Sequence, residues 1–216
     1  MDLNSEALLV GVLQVVIVVL SLSVHEWGHA YAADRLGDDT PRSEGRVTIN
    51  PLAHIDPIGT VVLPLLGALG FFGGAAIPGW AKPVYINPDN LRRRMFDEAI
   101  VTLAGPLMNF LLAFAAALIV VAAKRLGSAE GEFFGRLMLR ANVSLFLFNL
   151  LPIPPLDGSK FLMYWFGMSR ATYARIAGFG WVMLIVLLNV PGFGSVYGDL
   201  IAMVRYPFDA VIRVFA

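Results

Sequence analysis

Residues 8–33 form an apolar stretch without a single lysine or arginine. Its charge-capable side chains, His25, Glu26 and His29, all fall in the last third. About 20 mostly apolar residues suffice to cross a bilayer, so this stretch limits the possible folds more than any other feature. It has neither the basic leader nor the short apolar core of a secretory signal, and reads as a permanent span. Further apolar runs follow at residues 58–77, 99–123, 133–151 and 176–190, with a shorter mixed one at 196–214. The runs at 99–123 and 133–151 also have the length of a crossing. A water-soluble bundle would show polar faces along such helices, and these runs have none. Only 15% of the residues are charged, against about 25% in soluble domains. The pattern predicts an all-α, polytopic membrane bundle in one domain, residues 1–216, with a core at 5–160 and C-terminal helices at 161–216.

Charge and cysteine content remove several function classes. Sixteen basic residues balance sixteen acidic ones, which leaves no basic footprint for nucleic acid. Without cysteine, thiolate metal sites, disulfide scaffolds and cysteine nucleophiles are all excluded. The distribution of the basic residues instead predicts orientation. None precedes Arg35, whereas Arg35, Arg42 and Arg46 follow the first span, and Lys82 with Arg92, Arg93 and Arg94 lies between the second and third runs. Both loops read as cytoplasmic, with the N-terminus outside. The run at 58–77 then cannot be a simple crossing. Its Gly59, Pro64, Gly67, Gly70, Gly73 and Gly74 have the interrupted texture of a re-entrant or broken segment sheltered by other helices. Residues 46–49 and 83–87 read as short β-strands at the cytoplasmic face.

The chemistry is concentrated in His25-Glu26-Trp27-Gly28-His29. Residues four apart share a helix face, so His25 and His29 can present two imidazoles to one metal ion, with Glu26 placed to take a proton from water beside it. Within a span such residues are costly and point to function. Zinc takes nitrogen and oxygen ligands, and a catalytic site uses three from the protein. Two residues are candidates for the third: His54, and Asp157 in the run Asn149-Leu150-Leu151-Pro152-Ile153-Pro154-Pro155-Leu156-Asp157-Gly158. In that run prolines break an apolar helix, which is tolerated against protein or a wet cavity.

These residues resemble the site-2 proteases, intramembrane zinc metalloproteases, in the short branch without PDZ or CBS domains. The resemblance rests on HEWGH at 25–29 and NLLPIPPLDG at 149–158. It extends to GRVTINPLAHIDPIGT at 45–60, GWAKPVYINP at 79–88 and AGPLMN at 104–109. It implies His25, His29 and Asp157 as ligands of one zinc per chain, Glu26 as catalytic base, and Asn149 as a residue that helps hold the substrate or the developing oxyanion. His54 and Asn109 are carried as candidate substrate contacts, with a supporting or helix-packing role as the alternative for each.

Ligand closure provides a second test of orientation. His29 and His25 lie about 8 and 13 Å of helix rise from Asp34 at the cytoplasmic end of the first span. Asp157 reaches the same level when 58–77 is re-entrant, and the opposite face when every run crosses. The expected function is hydrolysis of peptide bonds in or near transmembrane segments of membrane-protein substrates, in a bacterial or archaeal plasma membrane, with homo-oligomerisation left open. Two other classes remain: an inactive relative that binds membrane proteins, which would lack Glu26 or a ligand, and a metal transporter, which would show several ligand clusters and repeated halves.

Overall fold

The computed structural model describes residues 5–62, 65–66 and 81–216. The chain divides into two compact units, Met1–Arg92 and Arg93–Ala216.

The first unit is built on α1 (Ser5–Leu36). In hydrocarbon a helix satisfies every main-chain N–H and C=O within its own segment, which overrides the weak helix propensity of the valines here. Leu9–Leu36 is long and apolar enough to cross a membrane. At 1.5 Å per residue it is about 42 Å long, more than the hydrocarbon thickness. The helix ends at Gly37, whose φ of 115° lies in the left-handed region that glycine adopts without a Cβ penalty. The Asp38 N–H then turns back to the Ala33 carbonyl at 3.0 Å.

The buried Asp38 carboxylate ties this helix end to a distant loop. It accepts from the Thr40 hydroxyl at 2.5 Å, the Asn87 N–H at 2.7 Å and the Asn90 side-chain amide at 3.0 Å. Burial pushes that carboxyl up, but these donors outweigh it and hold it below its usual value. The short α2 (Thr40–Ser43) follows. Pro57–Val62 forms a π-helical turn, capped by Asp56, whose Oδ1 accepts from the Ile58 and Gly59 N–H groups at 3.1 and 2.7 Å. The interrupted segment expected over 58–77 falls mainly on 63–64 and 67–77, outside the described residues.

The expected strands at 46–49 and 83–87 are not present: the described residues contain helices and irregular segments and no strand. Side chains take the main-chain groups that a ladder would need. The Val84 N–H goes to Glu26 Oε2 at 3.1 Å and the Asn87 N–H to Asp38. The Lys82 and Pro83 carbonyls accept from the Arg46 guanidinium. Arg46, counted in the sequence among the basic residues of a cytoplasmic loop, is only 4% exposed.

The second unit centres on α3 (Arg94–Arg125) and α4 (Ala129–Asn149). Ser128 caps α4 by accepting from the Gly131 N–H at 3.1 Å, and the short connection makes α3 and α4 antiparallel neighbours. Ala113, Ala116, Ala117 and Val120 of α3 pack with Leu139 and Val143 of α4, and with Phe208 and Ile212 of α8 (Phe193–Phe215). Small residues let helix backbones approach closely where lipid supplies no hydrophobic drive. Between α4 and α8 lie α5 (Phe161–Phe166), α6 (Arg170–Ala177) and α7 (Gly180–Leu188).

By length and apolarity two described helices can cross a membrane, residues 9–36 and 94–125. The α6 and α7 pair, bent by 61°, makes a third if counted as one broken span. The run at 133–151, expected to cross, lies mostly on α4, which is not among them. Glu130, Glu132, Arg136 and Arg140 on that helix raise its polarity, and Arg136 pairs with Glu132 at 2.7 Å.

Candidate metal centre

His25 and His29 project from one face of α1, both buried, with their rings edge-on at a centroid distance of 4.7 Å. Their Nε2 atoms face each other at 3.1 Å. Two ring nitrogens each bonded to a tetrahedral zinc at 2.0–2.1 Å would be about 3.3 Å apart, so the spacing fits a shared metal ion. Between them in sequence, Glu26 is half-buried and one carboxylate oxygen is held by the Val84 N–H.

In the second unit, Asp157 opens a 3-10 turn, Asp157–Lys160, after the prolines that end the apolar run. It is 8% exposed, and Lys160 Nζ lies 3.2 Å from its Oδ1. Burial pushes the Lys160 ammonium down, while the facing carboxylate more than offsets this and holds it above its usual value. The turn is anchored by the fully buried Ser159, whose hydroxyl donates to the Leu156 carbonyl at 2.6 Å and lies 2.9 Å from the Tyr173 hydroxyl. His25 and His29 in the first unit, and Asp157 in the second, are each of a ligand type that zinc takes.

The remaining candidates lie at distinct places. Asn149, half-buried at the end of α4, donates its Nδ2 to the Leu145 carbonyl at 3.0 Å. Asn109 is fully buried in the α3–α4 seam and donates to Asn142 Oδ1 at 3.1 Å, while Asn142 in turn donates to the Met138 carbonyl.

His54 is 1% exposed, with Nε2 at 2.8 Å from the Thr48 carbonyl. The carbonyl only accepts, so the proton sits on Nε2 and Nδ1 is a lone pair, buried with no partner among the described residues. Burial pushes the His54 pKa down. The unfolded chain, with a pKa near 6.5, therefore binds a proton before the folded one does. The His54 contribution to stability is constant above that value and declines as pH falls below it. His54→Gln keeps a donor toward Thr48 and removes the titration. Between pH 6.5 and 5, the thermal midpoint of the wild type should fall further than that of the variant; parallel curves would contradict the assignment.

Sequence reasoning missed Arg46, Lys160 and the Val84 amide. A lone arginine in a loop carries no local signal of burial, and a main-chain donor carries no residue signature.

Two histidines one helical turn apart with an interleaved glutamate have the H-E-x-x-H pattern of zinc metalloproteases. The relatives agree. The chain is 31% identical over 210 residues to "Putative zinc metalloprotease YwhC" of Bacillus subtilis, covering 94% of this chain and 90% of that protein. It is 32% identical over 201 residues to "Putative zinc metalloprotease Rip2" of Mycolicibacterium smegmatis, with 89% and 73% covered. The same-named protein of Mycobacterium tuberculosis is 34% identical over 200 residues, with 88% and 71% covered. No family model and no solved structure matches. The chain belongs to the site-2 protease family of membrane-embedded zinc metalloproteases.

Proposed function

We propose that the chain is an intramembrane endopeptidase that cuts membrane-protein substrates within or near their transmembrane segments, with His25, His29 and Asp157 holding one zinc ion. The observation that carries this reading is the opposed Nε2 pair at 3.1 Å on a membrane-spanning helix, with the Glu26 carboxylate held beside it.

Zinc at such a site acidifies water and polarises a carbonyl group. Glu26 takes the proton of the attacking water and passes it to the leaving amine nitrogen. Asn149 carries two amide N–H bonds and commits one to Leu145; we assign the other to the developing oxyanion. The substrate helix must unwind locally, because its carbonyls are otherwise hydrogen-bonded within the helix. We place the N-terminus outside the cell membrane and the site toward the cytoplasm, following the basic loops after α1. His54 and Asn109 are buried and take part in hydrogen bonds within their own units, so we give them supporting roles rather than substrate contact. The test is cleavage of single-span transmembrane peptides by the wild type and by Glu26→Gln. Equal cleavage by both would overturn the mechanism.

Gly158 gives this reading a second handle. A Cβ there would lie 2.2 Å from the Leu150 carbonyl oxygen and 2.8 Å from that of Leu151. Both are main-chain atoms, so the turn that carries Asp157 would have to move. Gly158→Ala is expected to weaken zinc binding about tenfold to a hundredfold, as displacement of a ligand's support does, measured by chelator competition. Unchanged affinity would contradict the placement of Asp157 by this turn.

A further inference from the structure

We propose that Arg46 is a positioning residue for Glu26, acting through the peptide unit that joins Pro83 to Val84. This rests on the reading of Glu26 as the catalytic base. Arg46 is buried, and its guanidinium donates to three main-chain carbonyls: Ala53, Lys82 and, at 2.9 Å, Pro83. The Lys82 N–H donates to the His54 carbonyl at 2.8 Å. Lys82 is thereby held at both its N–H and its C=O, and Pro83, with φ fixed by its ring, is held at its C=O.

The next main-chain donor is the Val84 N–H, which meets Glu26 Oε2 at 3.1 Å. The Pro83 C=O and the Val84 N–H belong to one planar unit. It is trans, because Pro154-Pro155 is the cis bond among the described residues. In a trans unit the two groups point in opposite directions across the plane. Arg46 on the carbonyl side therefore sets the direction of the N–H on the other side. It also polarises that N–H, since hydrogen bonds in series strengthen one another. One carboxylate oxygen is fixed in this way, and Oε1 is left to handle the proton.

A planar fork explains why the residue is arginine: three carbonyls on two segments need donors in a rigid fan, which an ammonium does not supply. Arg46→Lys keeps the charge, and with it the topogenic signal, while removing the fan. Val84→Pro removes the N–H, and also fixes φ at 84 and restricts Pro83 before it.

Two measurements on the full-length, zinc-loaded protein in detergent test the proposal. In the first, hydrogen exchange of the Val84 amide is followed by NMR with valine-selective ¹⁵N labelling. Exchange should quicken about tenfold to a hundredfold in both Glu26→Ala and Arg46→Lys, as expected for loss of a hydrogen bond to a charged acceptor. Val84 exchange unaltered in Arg46→Lys would overturn the proposal, whether or not any substrate is cut. In the second, a fluorescent single-span transmembrane peptide cut by the wild type but not by Glu26→Gln is assayed with Arg46→Lys and Val84→Pro. Each should lower kcat about tenfold to a hundredfold, the scale of a small misplacement of a catalytic group, at unchanged KM and zinc content. A wild-type kcat in Val84→Pro would overturn the proposal. So would an activity loss in Arg46→Lys that vanishes once normalised to folded, zinc-loaded protein, as a purely structural clasp requires. If Arg46→Lys fails to fold, Val84→Pro decides. Peptide cleavage persisting in Glu26→Gln would overturn the proposed base instead, with the exchange result still standing.

Discussion

Glu26→Gln is expected to keep its zinc and lose cleavage by about 10²- to 10⁴-fold, the range attributed to general acid–base catalysis. The glutamine is nearly isosteric and still offers an oxygen to the Val84 N–H, which Glu26 accepts at 3.1 Å. The local main chain should therefore stay in place. The amide cannot take a proton from water near neutral pH, so the loss should appear in kcat. KM, which reports substrate capture, should change little. Rate assays on a transmembrane peptide, with metal analysis of the same samples, check both halves. Loss of zinc along with activity would mean that Glu26 helps hold the metal.

The second large effect is expected at Asp157. Asp157→Ala removes the carboxylate from the proposed zinc ligand set of His25, His29 and Asp157. Structural zinc sites bind with roughly 10–16 kcal/mol shared over four ligands. Losing one should weaken binding by on the order of a hundredfold to a thousandfold. The variant also frees Lys160, whose ammonium lies 3.2 Å from Asp157 Oδ1, so a positive charge without its partner remains in the turn and opposes the metal further. Asp157→Asn separates the two effects, since it retains an oxygen ligand without the charge. Competition with a fluorescent zinc chelator gives the ranking: wild type, then Asp157→Asn, then Asp157→Ala. Equal affinities across the three would remove Asp157 from the metal centre.

How much of this was legible depended on the range over which each feature is encoded. The histidine pair follows from spacing within a single helical turn, and the sequence places both imidazoles on one face of α1, where their Nε2 atoms meet. The break after α4 follows from Pro152, Pro154 and Pro155, which cannot continue a helix. The strands expected at 46–49 and 83–87 failed for a non-local reason. Alternation and β-branched residues favour extended backbone, but pairing depends on which groups remain free. Glu26, Asp38 and Arg46, separated from their partners in that second segment by 37 to 58 residues along the chain, had already taken them. The burial of Arg46 was not legible either, since the carbonyls it donates to lie up to 37 residues away along the chain. The 133–151 run lies mostly on α4, where Glu130, Glu132, Arg136 and Arg140 raise the polarity, and that helix is not among the described helices long and apolar enough to cross.

The most direct test is the zinc content of the wild-type protein, purified in detergent and measured by inductively coupled plasma mass spectrometry beside His29→Ala. About one zinc per chain in the wild type, and a stoichiometry well below that in the variant, is the result expected of a metal ion held by the opposed imidazoles of α1. A wild type that stays free of zinc after reconstitution with the metal, or a His29→Ala protein that carries as much zinc as the wild type, would contradict the assignment of this site.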